Sequence, residues 1–440
     1  MLARVLILAA MLACFGCQDR GRTAAPDGNA SGAVPVEVAL VDGRYRLLRG
    51  GEVYRIRGAG AGVEGLEALV AHGGNSFRTW RTEPDTSSGQ QLLDRAAALG
   101  LTVALCIEIG RERLGFDYSD AQAVARQLEY ARGEVLKYKD HPALLAWIIG
   151  NEVDHDYTNP AFLDAINDIS KMIHELDGRH PTTTALSRFD AERIALLDAR
   201  APDLDIVSVQ SYGGIVHLPA HLRDAASPRP YWVTEFGTIG HWEVETTAWG
   251  APIEHHSSAK AAIYLKAYQQ FIEPFADKVI GAYVFLWGQK QERTPTWYGM
   301  FLADGSETEV VDVMHFLWNG AWPRNRAPRI DGMLLDARAA EQDVTLTAGG
   351  QYRASVAASD PDGDPLRYRW EIRHESTATA VGGDHEEVPA VIPGLLEPGA
   401  AAVVRFSAPS VPGAYRLFVY VYDGQGHAGH ANIPFLVTEA

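Results

Sequence analysis

Polar and apolar positions fall into two rhythms along the chain. Between about residues 53 and 288, short apolar runs alternate with longer stretches whose apolar residues recur every three or four positions. The first kind reads as strands buried on both faces, the second as amphipathic helices. The strand stretches are 53–60, 76–80, 102–109, 144–151, 182–186, 206–212, 231–237 and 280–288. Between them lie the helical stretches VEGLEALVAHG, QQLLDRAAALG, AQAVARQLEYARGEVLKYK, AFLDAINDISKMIHEL, AERIALLDA and AKAAIYLKAYQQFIEPF, with a weak one, PAHLRDAA, after the sixth strand. Several end in Gly, a common helix stop. Strands that alternate with helices imply a parallel sheet, and eight such units over roughly 250 residues suit a closed (β/α)8 TIM barrel of the α/β class. An open doubly wound sheet is the alternative, but no Gly-rich phosphate loop follows the first strand.

The rhythm changes near residue 322. WPRNRAPRIDG reads as a linker, and beyond it RYRWEIR, AVVRFSA, AYRLFVYVYD and NIPFLVT are short alternating strands separated by turn residues. That pattern predicts a small all-β, immunoglobulin-like sandwich. A chain of 440 residues is too long for one ordinary core, which agrees with two domains. The expected organisation is a signal at 1–17, a flexible tether at 18–35, a barrel over 36–322 that begins with the hairpin-like VEVALVDGRYRLLRGG, and a sandwich over 327–440.

The first residues, MLARVLILAAMLACFGCQDR, place a basic residue before a short apolar run and small residues after it, as an export signal does. The run is too short for a permanent membrane span. Its end resembles a bacterial lipoprotein signal, in which a cysteine after small residues carries the lipid. Cys17, after Gly16, is the favoured position and Cys14 the alternative. On this reading the chain is exported, anchored to the cell envelope, and meets the membrane through that lipid. An ordinary cleaved signal peptide is the other reading. Cys106, in TVALCIEI, is the third cysteine, so the folded part has no disulfide; an apolar setting argues for a structural thiol. The net charge of −17 excludes nucleic acid and anionic membrane surfaces as natural partners but not neutral sugars.

In a barrel of this kind, function sits at the C-terminal ends of the strands. Those ends carry Arg78 and Trp80, Glu108, Asn151 and Glu152, Tyr212, Glu235 and Trp287. Two glutamates on the fourth and seventh strands face one mouth. Cleaving a glycosidic bond with retention needs one neutral acid to protonate the leaving oxygen and one carboxylate to attack the anomeric carbon, about 5–5.5 Å apart. Their environments must hold the two apart in acidity. Arg78 beside Glu235 keeps it ionised, Tyr212 can donate to it, and Glu152 carries the proton. Asn151 can reach a sugar hydroxyl, and Trp287 offers a flat face for a ring. No cofactor is expected.

AWIIGNEV, VTEFG and VFLWG, with GGNSFRTW upstream, resemble the signature set of the retaining glycoside hydrolases built on (β/α)8 barrels. HPALLAWIIGNE and the lead-in DGRYRLLRGGEVYRIRGAG are most similar to the catalytic barrel of family 2, the β-galactosidase/β-glucuronidase family. The resemblance covers roughly residues 40–320. It implies Glu152 as acid/base, Glu235 as nucleophile, Asn151 as the contact to the 2-hydroxyl, Arg78 and Tyr212 as partners of the nucleophile, and Trp287 as a subsite platform. It does not extend to the jelly-roll and immunoglobulin-like domains that precede the barrel in that family, so the family's exo-acting preference is not carried over. The barrel is also similar to enzymes that remodel β-glucans by transglycosylation.

Other residues read more plainly. Glu108 and Trp80 are expected at the substrate rather than in the chemistry. His155, His241, His255 and His256 show no zinc-like spacing, and no metal ligand set is assigned. Trp242, Trp249 and Trp297 serve either sugar stacking or loop packing. SDPDGDPLRYRWE carries Asp360, Asp362 and Asp364 at alternate positions and resembles the turn of PKD- and cadherin-like sandwich domains, where such a run serves as a turn or holds Ca2+. The expectation is a retaining β-glycoside hydrolase acting on an oligo- or polysaccharide. Its rivals are a β-glucan transglycosylase using the same glutamates, an inactive carbohydrate-binding lipoprotein, and an adhesion module centred on the sandwich.

Overall fold

The computed structural model describes residues 32–439 apart from 85, 226, 381, 382 and 400. The expected signal stretch with Cys14 and Cys17 lies outside these residues. Eight parallel strands close into a barrel: β1 (Gly58–Gly60), β2 (Ser76–Arg78), β3 (Thr102–Ile107), β4 (Leu144–Asn151), β5 (Thr182–Leu186), β6 (Val207–Ser211), β7 (Tyr231–Phe236) and β8 (Val279–Val284), with β8 pairing back onto β1. All eight residues of β4 are buried, as its uninterrupted apolar run requires. Cys106 sits in β3 with burial pushing its thiol up to about 12, which leaves it an inert core residue.

Helices follow the strands: α1 (Leu66–Ala71), α2 (Gly89–Ala98), α3 (Ala121–Tyr138), α4 (Ala161–Leu176), α5 (Ala191–Arg200), α6 (Leu218–Asp224), α7 (Ser257–Lys266) and α8 (Glu309–Asn319). The N-caps agree with local chemistry. Ser88 and Gln91 form a capping box on α2, and Asp120 and Asp190 accept backbone N–H groups at α3 and α5. α8 has no counterpart among the helical stretches expected from periodicity. Its residues 309–314 are buried without interruption, so no polar stripe marks a helical repeat. None of the described helices is long and apolar enough to cross a membrane.

The first expected strand, 53–60, divides. Residues 58–60 join the barrel, while Glu52–Val53 pairs in an antiparallel sheet with Val36–Val41 and Arg44–Arg49. This sheet caps the N-terminal end of the barrel. Val36, Leu47 and Ile56 pack with Trp232, Ile280 and Tyr283, and the Val36 and Tyr45 N–H groups donate to the Arg179 and Asp277 carbonyls.

Beyond α8 lie two sheets, one of three strands (Arg329–Leu335, Gln351–Ser359, Val403–Ser407) and one of four (Thr345–Thr347, Ala428–Thr438, Gly413–Tyr422, Arg367–His374). Trp370, Phe406, Tyr415 and Phe435 fill the space between them. The sandwich is docked on the barrel through buried polar contacts. Arg416 donates to the Pro252 carbonyl at 2.8 Å, Asn432 to Glu254 at 2.6 Å, and Ser257 and Ser258 at the start of α7 accept from His430 and Ile330.

β4 ends in a turn that only glycine fits. Gly150 has φ +74°, and a Cβ there would lie 2.6 Å from Val153 Cγ2 and 2.8 Å from Ile109 Cγ1. Overpacking and left-handed strain both follow from a side chain. Gly150→Ala is expected to destabilise the barrel by about 2–4 kcal/mol; a thermal midpoint equal to that of the parent would refute this account of the turn.

Candidate active site

The turn after Gly150 delivers two polar side chains to the barrel mouth. Asn151 closes β4, and Glu152 follows with φ +50°, held by its N–H to the Ala185 carbonyl at 2.8 Å. A left-handed glutamate costs about 1–2 kcal/mol, and that strain aims its carboxyl into the mouth. On the opposite wall, the pairing of β7 slips between Val233 and Glu235, which turns Glu235 inward. The residue is only 4% exposed.

Arg78, fully buried at the end of β2, joins the two walls. Its Nη1 donates to Glu235 Oε1 at 2.8 Å and its Nη2 to Asn151 Oδ1 at 2.6 Å. Trp80 Nε1 donates to the same Glu235 oxygen at 2.9 Å, and the Tyr212 hydroxyl to the other at 2.7 Å. Three donors thus converge on one carboxylate. Burial, and then Glu235 itself, hold the Tyr212 phenol far above its ordinary range, so it stays a donor. Asn151 Oδ1 accepts a second bond from Gln210 at 2.7 Å, which leaves the Asn151 amide N–H groups for the cleft.

Glu152 is built differently. Its carboxyl has no hydrogen-bond partner among the described residues, and Asp154 lies behind it. Burial first, then the negative charges of Glu235 and Asp154, push it up to about 8, against the weaker pull of Arg78 and Arg111. Two glutamates face one cleft, one clothed in donors and the other pushed toward its neutral form, as acid/base work requires.

The cleft has a volume of about 1280 Å³ and is lined by Glu152, Glu235, Asn151, Tyr212, Trp80 and Glu108 among others. Glu108, just past β3, faces Arg81 at 3.9 Å. Trp242 is 59% exposed and stands edge-on to Tyr212 with ring centres 5.6 Å apart. Trp297 is buried and donates to the Ile239 carbonyl, and Trp249 is not among the residues that line the cleft. His155 and His241 line it; His256 caps α7.

The expected platform Trp287 is corrected by the structure. It is 1% exposed, donates to the Gly65 carbonyl at 3.0 Å, and packs against Trp318, Phe301 and His72 rather than in the cleft. β8 ends at Val284, so Phe285 is the first residue off the strand. Phe285 lines the cleft between Trp80 and Tyr212, at 5.8 and 5.7 Å. The apolar run continues past the strand end, and length alone cannot show where pairing stops.

Four further contributors carry no motif. Gln210 lies two residues before Tyr212 and so shares its strand face, a signal that was present in the spacing. Glu243 accepts from the N–H groups of Gly213, Gly214 and Gly240 at 2.8–2.9 Å, tying the loops after β6 and β7 together beneath Trp242. Asp384 and His385 reach the cleft from the sandwich, with no local signal at all. In the aspartate run, Asp360 Oδ1 accepts from the Asp362 and Asp364 N–H groups, a turn in itself. Asp360 and Asp364 bring oxygens within 4.8 Å of Asp423, while Asp362 instead accepts from Arg326 N–H.

Fold and site together define a (β/α)8 barrel with two glutamates at the strand ends and a β-sandwich behind it. The sequence matches no protein-family model and no curated protein. Among solved structures, the chain is similar in fold to Bacteroides uniformis β-glucuronidase 2 (14% identity, TM-score 0.51, 92% of this chain and 48% of that one). It is also similar to the β-glucuronidases of Dictyoglomus thermophilum (16%, 0.50, 66% and 54%) and Bifidobacterium dentium (17%, 0.50, 67% and 52%). It spans about half the length of each.

The raised Glu152 carries a stability consequence. Folding favours its protonated form, so its contribution is fully present below the ordinary value of 4.5 and is lost as pH rises toward about 8. Glu152→Gln is therefore expected to stabilise the protein more at pH 8 than at pH 5. A gain in melting temperature that is the same at both would contradict the assigned environment.

Proposed function

We propose that the protein is a retaining β-glycoside hydrolase acting on an oligo- or polysaccharide. The single observation that carries this reading is the contrast between the two glutamates in one cleft: Glu235 with three donors, Glu152 with none and held near neutrality. Glu235 Oε attacks the anomeric carbon as Glu152 gives its proton to the leaving oxygen, and a glycosyl ester forms. Glu152, now ionised, takes a proton from water, which breaks that ester and restores both carboxyls. Tyr212, Trp80 and Arg78 orient the nucleophile, and Asn151 offers its amide to a hydroxyl beside the reacting carbon. Trp242 supplies the exposed aromatic face that sugar stacking needs. The likeness in barrel fold to β-glucuronidases, one of them covalently bound to cyclophellitol-6-carboxylate aziridine, supports this choice of chemistry. Presence of both carboxyls weighs against an inactive binding protein.

Glu235→Gln is expected to abolish turnover. Glu152→Ala should slow glycosides with poor leaving groups by about 10²–10⁴-fold and activated aryl glycosides far less, because the latter need little proton assistance. Equal losses on both would remove Glu152 from the acid role. Activity requires Glu152 protonated, so kcat/KM should fall above about pH 8, and that limb should vanish in Glu152→Ala. Product masses from β-linked oligosaccharides decide between hydrolysis and transglycosylation, the latter giving products longer than the substrate.

The same proposal places the protein outside the cytoplasm, held to the envelope by lipid on Cys17. Cys17→Ser should release it from the membrane fraction; retention there would overturn the anchor.

A further inference from the structure

We infer that residues 383–386 of the sandwich form a wall of the substrate cleft, and that His385 contacts a sugar unit other than the one being cleaved. This rests on the glycosidase reading above and deepens it: the substrate is a chain of several sugars, and the second domain helps to bind it.

Strands Arg367–His374 and Val403–Ser407 are joined by residues 375–402, whose described residues form no helix or strand. Connections of that length without regular structure are uncommon in compact domains unless they bind something or are disordered. This one is fastened to the barrel at two points. Asp384 accepts from both terminal nitrogens of Arg113, at 2.8 and 3.0 Å, in the loop after β3. Glu386, itself buried, accepts from the backbone N–H and Nη1 of Arg293, at 2.7 and 2.8 Å, in the loop after β8. The same guanidinium donates to the Ala378 and Ala380 carbonyls. Glu386 is taken out of water, which is costly unless the geometry is good, while Asp384 stays partly exposed and is held by a two-pronged pair.

The anchors define where the segment runs. β8 and β3 are three strands apart around the barrel, with β1 and β2 between them. A segment pinned to both loops crosses that side of the mouth. His385 sits between the two pinned carboxylates. It is exposed, lines the same cavity as Glu152 and Glu235, and has no hydrogen-bond partner among the described residues. An imidazole there offers a donor, an acceptor and a flat face to a hydroxylated ring. The cavity, at about 1280 Å³, exceeds the roughly 300–1,000 Å³ of sites for small ligands, which is room for more than one sugar unit.

The test compares short and long substrates in the full chain. The probes are hexasaccharides of β-1,3-glucan, β-1,4-glucan and β-1,4-mannan, and the 4-nitrophenyl β-monoglycosides of the same sugars. His385→Ala is expected to raise KM for the cleaved hexasaccharide about three- to tenfold, the worth of one hydrogen bond or ring contact, and to leave kcat and the monoglycoside kinetics within about twofold. The same loss should appear in calorimetric binding of that hexasaccharide to Glu235→Gln. Arg113→Asp should mimic it, and Arg113→Asp with Asp384→Arg should recover. If His385→Ala affects hexasaccharide and monoglycoside alike, or neither, the proposal fails while the glycosidase reading stands. It also fails if the wild type turns over only monoglycosides. A wild type that cleaves no probe overturns the glycosidase reading, and this proposal with it.

Discussion

The buried guanidinium of Arg78 is the constraint on which the mouth of the barrel depends. A cation with no exposure must find partners inside the protein or it is not tolerated. Arg78 finds them on two other strands, Glu235 from β7 and Asn151 from β4, and in the Thr79 carbonyl beside it at 3.2–3.3 Å. Its planar fork of donors suits that task as an ammonium would not. The pairing fixes Glu235 and Asn151 relative to each other, so the geometry of the mouth is set by electrostatics within the core and not by mobile loops.

From that anchor the difference between the two glutamates follows. Glu235 spends its lone pairs on Arg78, Trp80 and Tyr212. Glu152, carried past the strand end by the Gly150 turn, meets burial and negative charge instead. Residue type is the same; solvation and neighbours decide the protonation state. The strained backbone at Glu152 is the local expense of placing an uncompensated carboxyl opposite a compensated one.

The sandwich is more than an appendage to this arrangement. It is docked on the segment that leads into α7, where Pro252 and Glu254 accept from Arg416 and Asn432, and a separate segment is pinned across the mouth by Arg113 and Arg293. The first contact orients the domain, and the second brings side chains to the cleft. A barrel alone would present a different opening to a polymer.

How much of this was legible from residues follows from range. The strand–helix rhythm is local, so eight barrel strands, seven of the helices and the sandwich pattern could be read from hydrophobic period. So could Glu152, Glu235, Arg78, Asn151 and Tyr212, because each stands where an apolar strand run turns polar. The buried helix α8 escaped because a helix covered on most sides has no polar stripe. Trp287 was misplaced because a continuous apolar run hides the point where pairing ends, and Phe285 took the cleft position. Gln210 was within reach of period-two counting. Glu243 and Asp384 were not, because Gly214 and Arg113, which they join, lie 29 and 271 residues away in sequence, and His385 follows from the placement of Asp384. The chain by itself determined the elements and the chemistry available at their ends, since both depend on neighbours in sequence. Which carboxyl gains donors, which is left bare, and which loop of the second domain walls the cleft were decided only by the closed barrel and the docked sandwich, because solvation and long-range pairing exist only once the fold has formed.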